Sequence, residues 1–233
     1  MLAACSTGGG AVSKGSLSAV MAVLLLGAAD SALAFKFSEE EAKQKAEADE
    51  KVQRIADLVS VPCQASLKGK KIMTIIGERT SNGYLTTQSR YGPHFQAINK
   101  RLRALGLQTY TQEEIRRQIA QAEIDAYFRN DPDAALAASK KLGANFILRG
   151  LIRTQTGTNP VLRIKEVAVN MGFTLVAANG RAISDVDARA ESYSGTDTLG
   201  MALTLVNEQA DEVVAQLYND YCRNAGIPAK ARN

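Results

Sequence analysis

The spacing of apolar positions changes several times along the chain, and each change predicts an element. Lys70 to Gly77 (KKIMTIIG) is an apolar run bounded by lysines and a glycine, the pattern of a buried strand. The next stretch, Glu78 to Pro93 (ERTSNGYLTTQSRYGP), is polar and punctuated by glycine, which predicts a surface loop. Phe95, Ile98, Leu102 and Leu105 then recur at helical intervals, with Gly106 placed as a C-cap. Leu107 to Tyr110 is a short strand. Thr111-Gln112-Glu113-Glu114 has the form of a capping box and opens a predicted helix reaching Arg129. Asn130-Asp131-Pro132 breaks the chain, and Asp131 can cap an alanine-rich helix that ends at Gly143. Asn145 to Arg153 (NFILRGLIR) reads as a strand with a glycine inside it.

Beyond residue 160 the pattern shifts towards strands. Val161 to Asn170 and Met171 to Ala177 read as two strands, Ala178-Asn179-Gly180 as a tight turn, and Arg181 to Tyr193 as the returning strand. Thr198 to Cys222 is one long amphipathic helix, with Ala202, Leu205, Val206, Val213 and Leu217 on its apolar side. The order of elements predicts an α/β (α+β) fold. Its mixed sheet of about five to six strands is flanked by helices and ends in a C-terminal β-meander and a closing helix.

The N-terminal part is different in kind. Lys14, the uncharged apolar run Leu17 to Ala29 and the small residues Ala32 and Ala34 follow the order of a secretory signal, with cleavage expected after Ala34. The run is too short to be read as a membrane-spanning helix. Translation from Val12 would give a signal of ordinary length. A start upstream of Met1 would instead make Leu2-Ala3-Ala4-Cys5 a lipobox, with Cys5 lipidated and the domain tethered to the outer membrane. With no apolar segment before Cys5, the free form is the favoured reading, in the periplasm or secreted. After the signal, Ser38-Glu39-Glu40-Glu41 has capping-box form and opens a charged, alanine-rich helix. Apolar residues appear only near its end, at Val52, Ile55, Leu58 and Val59, so only its last turns are expected to dock. The domains are thus an export signal (1–34), a helical extension or linker (35–62), an α/β domain (63–225) and a flexible tail (226–233).

Composition narrows the function classes. The apolar fraction of 45% and charged fraction of 22% are those of a globular protein. The net charge of +4 is spread along the chain and gives no sign of a nucleic-acid partner. Cys63 and Cys222 remain after signal cleavage, and in an exported protein they are a disulfide candidate joining the two ends of the domain. The one histidine, His94, has no neighbours at metal-ligand spacing and reads as a helix-start or surface residue. No cofactor motif occurs, and Gly77 to Gly83 lacks the lysine and spacing of a phosphate loop. The segment 77–93 follows the C-terminal end of a core strand, where open α/β sheets place ligands. Arg79, Tyr84, Arg90 and Tyr91 in it are candidates for binding an acidic or polar partner.

The most informative stretch, Glu113 to Ile152, resembles the CsgG superfamily of curli-secretion lipoproteins. That superfamily includes the LpoB-type activators of penicillin-binding proteins and the FlgT middle domain. Leu142, Gly143, Ala144, Asn145, Phe146 and Gly150 match its signature of a helix, Leu-Gly-Ala, an aromatic-apolar strand and a glycine. Ala178, Asn179 and Gly180 match its later turn, and the resemblance covers Lys70 to Tyr221. The segment between Arg153 and Val161 is short and polar, with no membrane-crossing hairpin pattern, so pore formation is not carried over. The resemblance implies a non-enzymatic exported envelope accessory protein that docks to, or helps assemble, a cell-envelope or secretion/flagellar-type structure by binding other envelope proteins. The alternatives are a small-ligand binder or enzyme using the loop 77–93, and a self-assembling homo-oligomeric ring.

Overall fold

The computed structural model describes residues 30–129, 131–158, 160–161, 163, 165–192 and 197–224. Cys5, the apolar run before residue 30 and the tail 226–233 lie outside them. The chain divides into two units after Ala48. The first contributes the beginning of helix α1 (Asp30–Val59), and its described side chains from Glu39 to Ala48 are all exposed. The helix runs through Ser38, which is therefore an interior helical position and not the cap its Ser-x-x-Glu pattern suggests. Ala34 also lies within α1.

The second unit holds the end of α1 and, in order, α2 (Gln64–Leu67), β1 (Lys71–Thr80), β2 (Gly83–Leu85) and a 3-10 turn (Gln88–Tyr91). Next come α3 (Gly92–Ala104), β3 (Gln108–Thr109), α4 (Gln112–Gln118), α5 (Gln121–Phe128) and α6 (Pro132–Leu142). The chain finishes with β4 (Phe146–Thr158), β5 (Lys165–Ala177), β6 (Ala182–Ser192) and α7 (Thr198–Asn224). The six-stranded sheet runs β2-β1-β4-β5-β6, with β3 beside the start of β1. β1 pairs in parallel with β3 and β4, and the remaining pairs are antiparallel. The mixed α+β architecture is the one the hydrophobic pattern predicts.

Alternation along each strand assigns the two faces. Ile72, Thr74 and Ile76 of β1 face α3 and α7, as the bond from Thr74 Oγ1 to Asn99 Oδ1 (2.7 Å) fixes. Phe146 of β4 shares that face and meets Tyr221 of α7 edge-on, with ring centroids 5.3 Å apart. Met73, Ile75 and Gly77 face the other way, towards α5. Gly77 is there for space: a Cβ would come within 2.6 Å of Phe128 Cε1.

Several elements differ from the sequence pattern. The helix expected over Thr111 to Arg129 is broken at Ile119-Ala120. Ile119 is extended and buried, and Glu123 Oε2 accepts from Ala120 N (3.0 Å) to begin α5. The turn brings Ile115, Ile119 and Ile124 all inward, which one straight helix would not do as well. The two strands expected across Asn170–Met171 are one, β5. The predicted surface loop 78–93 is largely ordered: its first residues continue β1, β2 folds back on them, and the 3-10 turn leads into α3.

Docking of the end of α1 is polar rather than apolar. Val52 is 67% and Val59 40% exposed, while Ile55 and Leu58 are half-buried. Lys51 Nζ donates to Glu208 O (2.7 Å), Arg54 pairs with Glu212 (3.2 Å) and Asn219 Nδ2 donates to Leu58 O (3.1 Å), all on α7.

The residues after α1 are held by the expected disulfide. Cys63 and Cys222 are bonded, with Cα atoms 5.8 Å apart across a sequence separation of 159. Beside it, the Tyr218 hydroxyl accepts from Cys63 N (3.2 Å) and donates to Val61 O (2.5 Å). The bond closes nearly the whole second unit into one loop. Loop-closure entropy places its stabilisation at about 4–5 kcal/mol. Urea unfolding with and without reductant should show a loss of that order. An unchanged midpoint after complete reduction would contradict this role.

Candidate binding surface at the ends of the parallel strands

Segment 78–93 is fastened by side chains rather than by long strand pairing. The turn Ser81-Asn82 is closed by Thr80 Oγ1, which donates to Gly83 O (3.1 Å) and accepts from Asn82 N (3.3 Å). Gly83 takes the positive φ (+118°) that brings β2 back along β1. Thr86 Oγ1 donates to Asp125 Oδ1, which also accepts from Gln121 Nε2 (2.8 Å). The Tyr91 hydroxyl donates to Leu85 O (2.9 Å), and Gln112 Nε2 donates to Gln88 O (2.5 Å).

The outer edge of β1 is closed in the same manner. β3 covers it at Lys71 and Ile72, and β2 covers it at Glu78 to Thr80. Between them the amide of Gln88, 2% exposed, acts as a strand would. Its Oε1 accepts from Ile76 N (3.0 Å), and its Nε2 donates to Ile76 O (2.8 Å) and to Thr86 O (2.6 Å).

The four candidate residues divide into two pairs. Arg79 is exposed and is the register partner of Tyr84, so both lie on the α5 face of the sheet. Tyr84 is half-buried, its ring 6.4 Å from that of Phe128. Arg90 is exposed and pairs at 3.7 Å with Glu78, a buried carboxylate on the opposite face. Tyr91 is fully buried, so it is a core residue and presents nothing to a partner. Burial, with the Glu78 charge adding to it, pushes its hydroxyl up to about pKa 12.

Sheet register adds residues that the sequence reading missed. Arg153 of β4 is the partner of Arg79, Asn170 of β5 the partner of Arg153, and Arg189 of β6 the partner of Asn170. Tyr84, Arg79, Arg153, Asn170 and Arg189 therefore form one row across the sheet, on one face, at the C-terminal ends of the parallel strands. The signal was present in part: Arg149 and Arg153 recur at even spacing in an otherwise apolar strand. Their alignment with Arg79 depends on the parallel register, which no local pattern reveals.

A second row, two rungs back, shows what a self-contained arrangement looks like here. Arg149 lies over the Tyr127 ring (5.5 Å to the centroid) and its Nη2 donates to Thr174 Oγ1 (3.3 Å). Thr174 Oγ1 in turn donates to Asp185 Oδ1 (2.7 Å). Burial pushes the Tyr127 hydroxyl up to about pKa 12, with the Arg149 charge opposing it. This row carries its own carboxylate. In the outer row, neither Arg79 nor Arg153 forms an ion pair among the described residues.

His94 is not the surface residue expected from its place at a helix start. It is 2% exposed, meets Tyr91 edge-on and donates from Nε2 to Leu199 O (3.1 Å), while its buried Nδ1 has no partner among the described residues. Burial holds its pKa below the ordinary histidine value, with the Leu199 bond acting in the opposite sense. Among the described residues, no three His, Cys, Asp or Glu side chains gather as a metal set. No helix there is long and apolar enough to cross a membrane. Between the sheet and α3/α7 lies an apolar cavity of about 20 Å³, lined by residues such as Leu102, Phe146 and Leu217. That is room for about one water; Tyr218 and Tyr221 also line it, but their hydroxyls are engaged with Val61 O and Lys70 Nζ.

No protein-family model matches the chain, and no curated protein does. Solved structures similar to it include the hypothetical protein CT253 from Chlamydia trachomatis, at 18% identity and TM-score 0.45, covering 67% of this chain and 99% of that one. Lipoprotein GNA1162 from Neisseria meningitidis follows at 15% identity and TM-score 0.39, covering 61% and 99%. The LpoB C-terminal domain from Salmonella enterica is similar at 15% identity and TM-score 0.34, covering 59% and 96%. What the surface does has to come from its own residues.

The buried His94 has a consequence for stability. Its folded pKa lies below the unfolded value of about 6.5, so as pH falls the unfolded chain takes up the proton first. Stability should therefore decline as pH falls through about 6.5 and below, and the contribution should be fully present above it. Urea midpoints measured from pH 7.5 to 5 should show this decline, and His94→Gln should flatten it. An identical slope in that variant would contradict the assignment.

Proposed function

We propose that this chain is a non-enzymatic, exported accessory protein of the cell envelope, acting as a docking module. The observation that carries the reading is the contrast between the two rows. One encloses its own arginine with a tyrosine, a threonine and a carboxylate, while the other places Arg79 and Arg153 side by side with no ion pair to either among the described residues. Like charges in register on neighbouring strands cost stability. Arginines bind carboxylates in a forked, two-bond geometry that fixes orientation as well as position, and a carboxylate set between these two would offset that cost. Tyr84, held against Phe128, adds a rigid aromatic flank of the kind that anchors protein interfaces. The signal read before Ala34 and the resemblance to CsgG, LpoB and FlgT proteins support placement in the periplasm, free or tethered through Cys5.

In this reading the disulfide, the Gln88 plug and the Thr86–Asp125 contact form a rigid mount. The surface acts by position: no group on it needs to gain or lose a proton, and no bond is made or broken. The partner is a carboxylate-bearing protein surface, from another envelope protein or from a neighbouring copy.

A photo-crosslinking residue at position 79, in cells exporting the protein, tests the reading against the same residue at Lys100. Lys100 is exposed on α3, across the sheet from Arg79. A discrete protein adduct from position 79 and none from position 100 is expected. Failure of position 79 to give an adduct, or the same pattern from both positions, would overturn docking through this surface.

A further inference from the structure

We infer that the outer edge of β6 takes residues 228–232 of a second copy as an added antiparallel strand, with the two copies exchanging these segments. β6 is the last strand of the sheet and is paired on one side only. Ala177 N donates to Arg181 O (2.9 Å), which sets the phase of the β5–β6 ladder. Leu175, Phe173 and Met171 follow Ala177 at alternate positions, so their partners Ser184, Val186 and Ala188 bond inward. Asp185, Asp187 and Arg189 then turn their backbone groups outward. Side chains of α7 close the two ends of this edge: Asn224 Nδ2 donates to Ile183 O (2.9 Å) and Gln209 Nε2 to Arg189 O (3.0 Å). Between these caps, the outward backbone groups of Asp185 and Asp187 have no partner among the described residues. A bare edge of this kind is a template for another strand. Both aspartates are exposed on the α5 face, and Asp187 forms no ion pair among the described residues.

The segment that fits this edge is in the chain itself, shortly after α7. Pro228-Ala229-Lys230-Ala231-Arg232 alternates small and basic residues, and Gly226 and Pro228 are of the types that stop a helix and turn the chain. In an antiparallel pairing that sets Lys230 opposite Asp187, Arg232 falls opposite Asp185, opposite charges on one face. Ala229 and Ala231 come beside Ala188 and Val186 on the α7 face. Pro228 meets Arg189, whose carbonyl Gln209 already occupies, so the missing proline N–H leaves nothing unbonded.

The hand of the fold keeps the segment off the edge of its own copy. α7 runs antiparallel to β6, from Gln209 beside Arg189 to Asn224 beside Ile183. A segment turning back from Asn224 would therefore run parallel to β6. Through α3 the chain passes from β1 to the parallel strand β3. Seen from the α3/α7 side with β1 pointing up, a right-handed crossover sets β3 to the right of β1, and so β6 to the left. A strand beyond β6 reached through α7 would be a left-handed crossover, the hand that sheets avoid. In a second copy related by a two-fold axis, the end of α7 lies beside the far end of β6. Its segment then enters antiparallel, the reverse exchange is identical, and the assembly closes at two copies.

Sedimentation velocity on the purified exported protein, with amide hydrogen exchange on the same samples, gives the test. Wild type should form dimers, and the amides of Asp185 and Asp187 should become protected as concentration rises. Asp187→Lys should weaken dimerisation by about tenfold or more, and so should Lys230→Asp, since each sets like charges opposite one another in both halves. Asp187 is exposed and Lys230 lies beyond α7, so circular dichroism should show both variants folded. An equimolar mixture of the two variants restores opposite charges in both halves and should recover the dimer. A wild type that stays monomeric, with both amides exchanging freely, would overturn the inference. Protection of those amides that does not depend on concentration would overturn it too, by giving the edge to the same copy. So would dimers that survive both substitutions, or a mixture that stays apart.

Discussion

Strand β1 has to satisfy its backbone on two edges, and only one edge has a long partner. β4 lies along it in parallel from Ile72 to Arg79. On the other edge, β3 and β2 leave a gap at Ile76, filled by the buried amide of Gln88. An unpaired N–H and C=O buried at that point would cost about 1–3 kcal/mol each. Gln88 removes that cost with one side chain. In doing so it also ties residues 86–91 to the centre of the sheet.

The proposed binding surface inherits its rigidity from that closure. Tyr91, one turn on, is fully buried and holds Leu85 O, so the strand carrying Tyr84 is fixed at its far end as well. Asp125 gathers Thr86 and Gln121, joining the same segment to α5. Arg79 is then presented from a strand whose neighbours cannot readily move. Arg153 is presented in register beside it because both strands run the same way. A flexible loop would offer the same residue types without the fixed spacing that a forked contact to carboxylates requires.

Much of this fold is legible in the residues, for reasons that can be named. The apolar run at Ile72 to Ile76, the helical spacing from Phe95 to Leu102 and the apolar side of α7 are local patterns, and the structure has each. Asp131 caps α6 as its position before Pro132 suggests, accepting from Asp133 N and Ala134 N (3.0 and 3.2 Å). The failures share a cause: they depend on partners distant in sequence. Gln88 looks like any loop glutamine until Ile76 is placed beside it. The break at Ile119-Ala120 carries no glycine or proline and is set by what Ile119 buries. Val52 and Val59 look like docking residues, yet α1 is held on α7 by Lys51 and Arg54. Of the four proposed binding residues, Arg79 and Tyr84 share a face, whereas polarity of the surrounding segment hid the burial of Tyr91. Arg153 was visible only as an odd charge in an apolar strand.

A side chain completes the sheet at Ile76 and thereby holds the proposed binding surface in place. Amide hydrogen exchange at Ile76 measures this directly. With Gln88 accepting its N–H, that amide should exchange as slowly as the β1 amides bonded to β4, through global unfolding alone. In Gln88→Ala it should exchange faster than those neighbours, together with the amides of residues 83–91. Rapid exchange of the Ile76 amide in the wild-type protein, with the rest of β1 protected, would contradict the account.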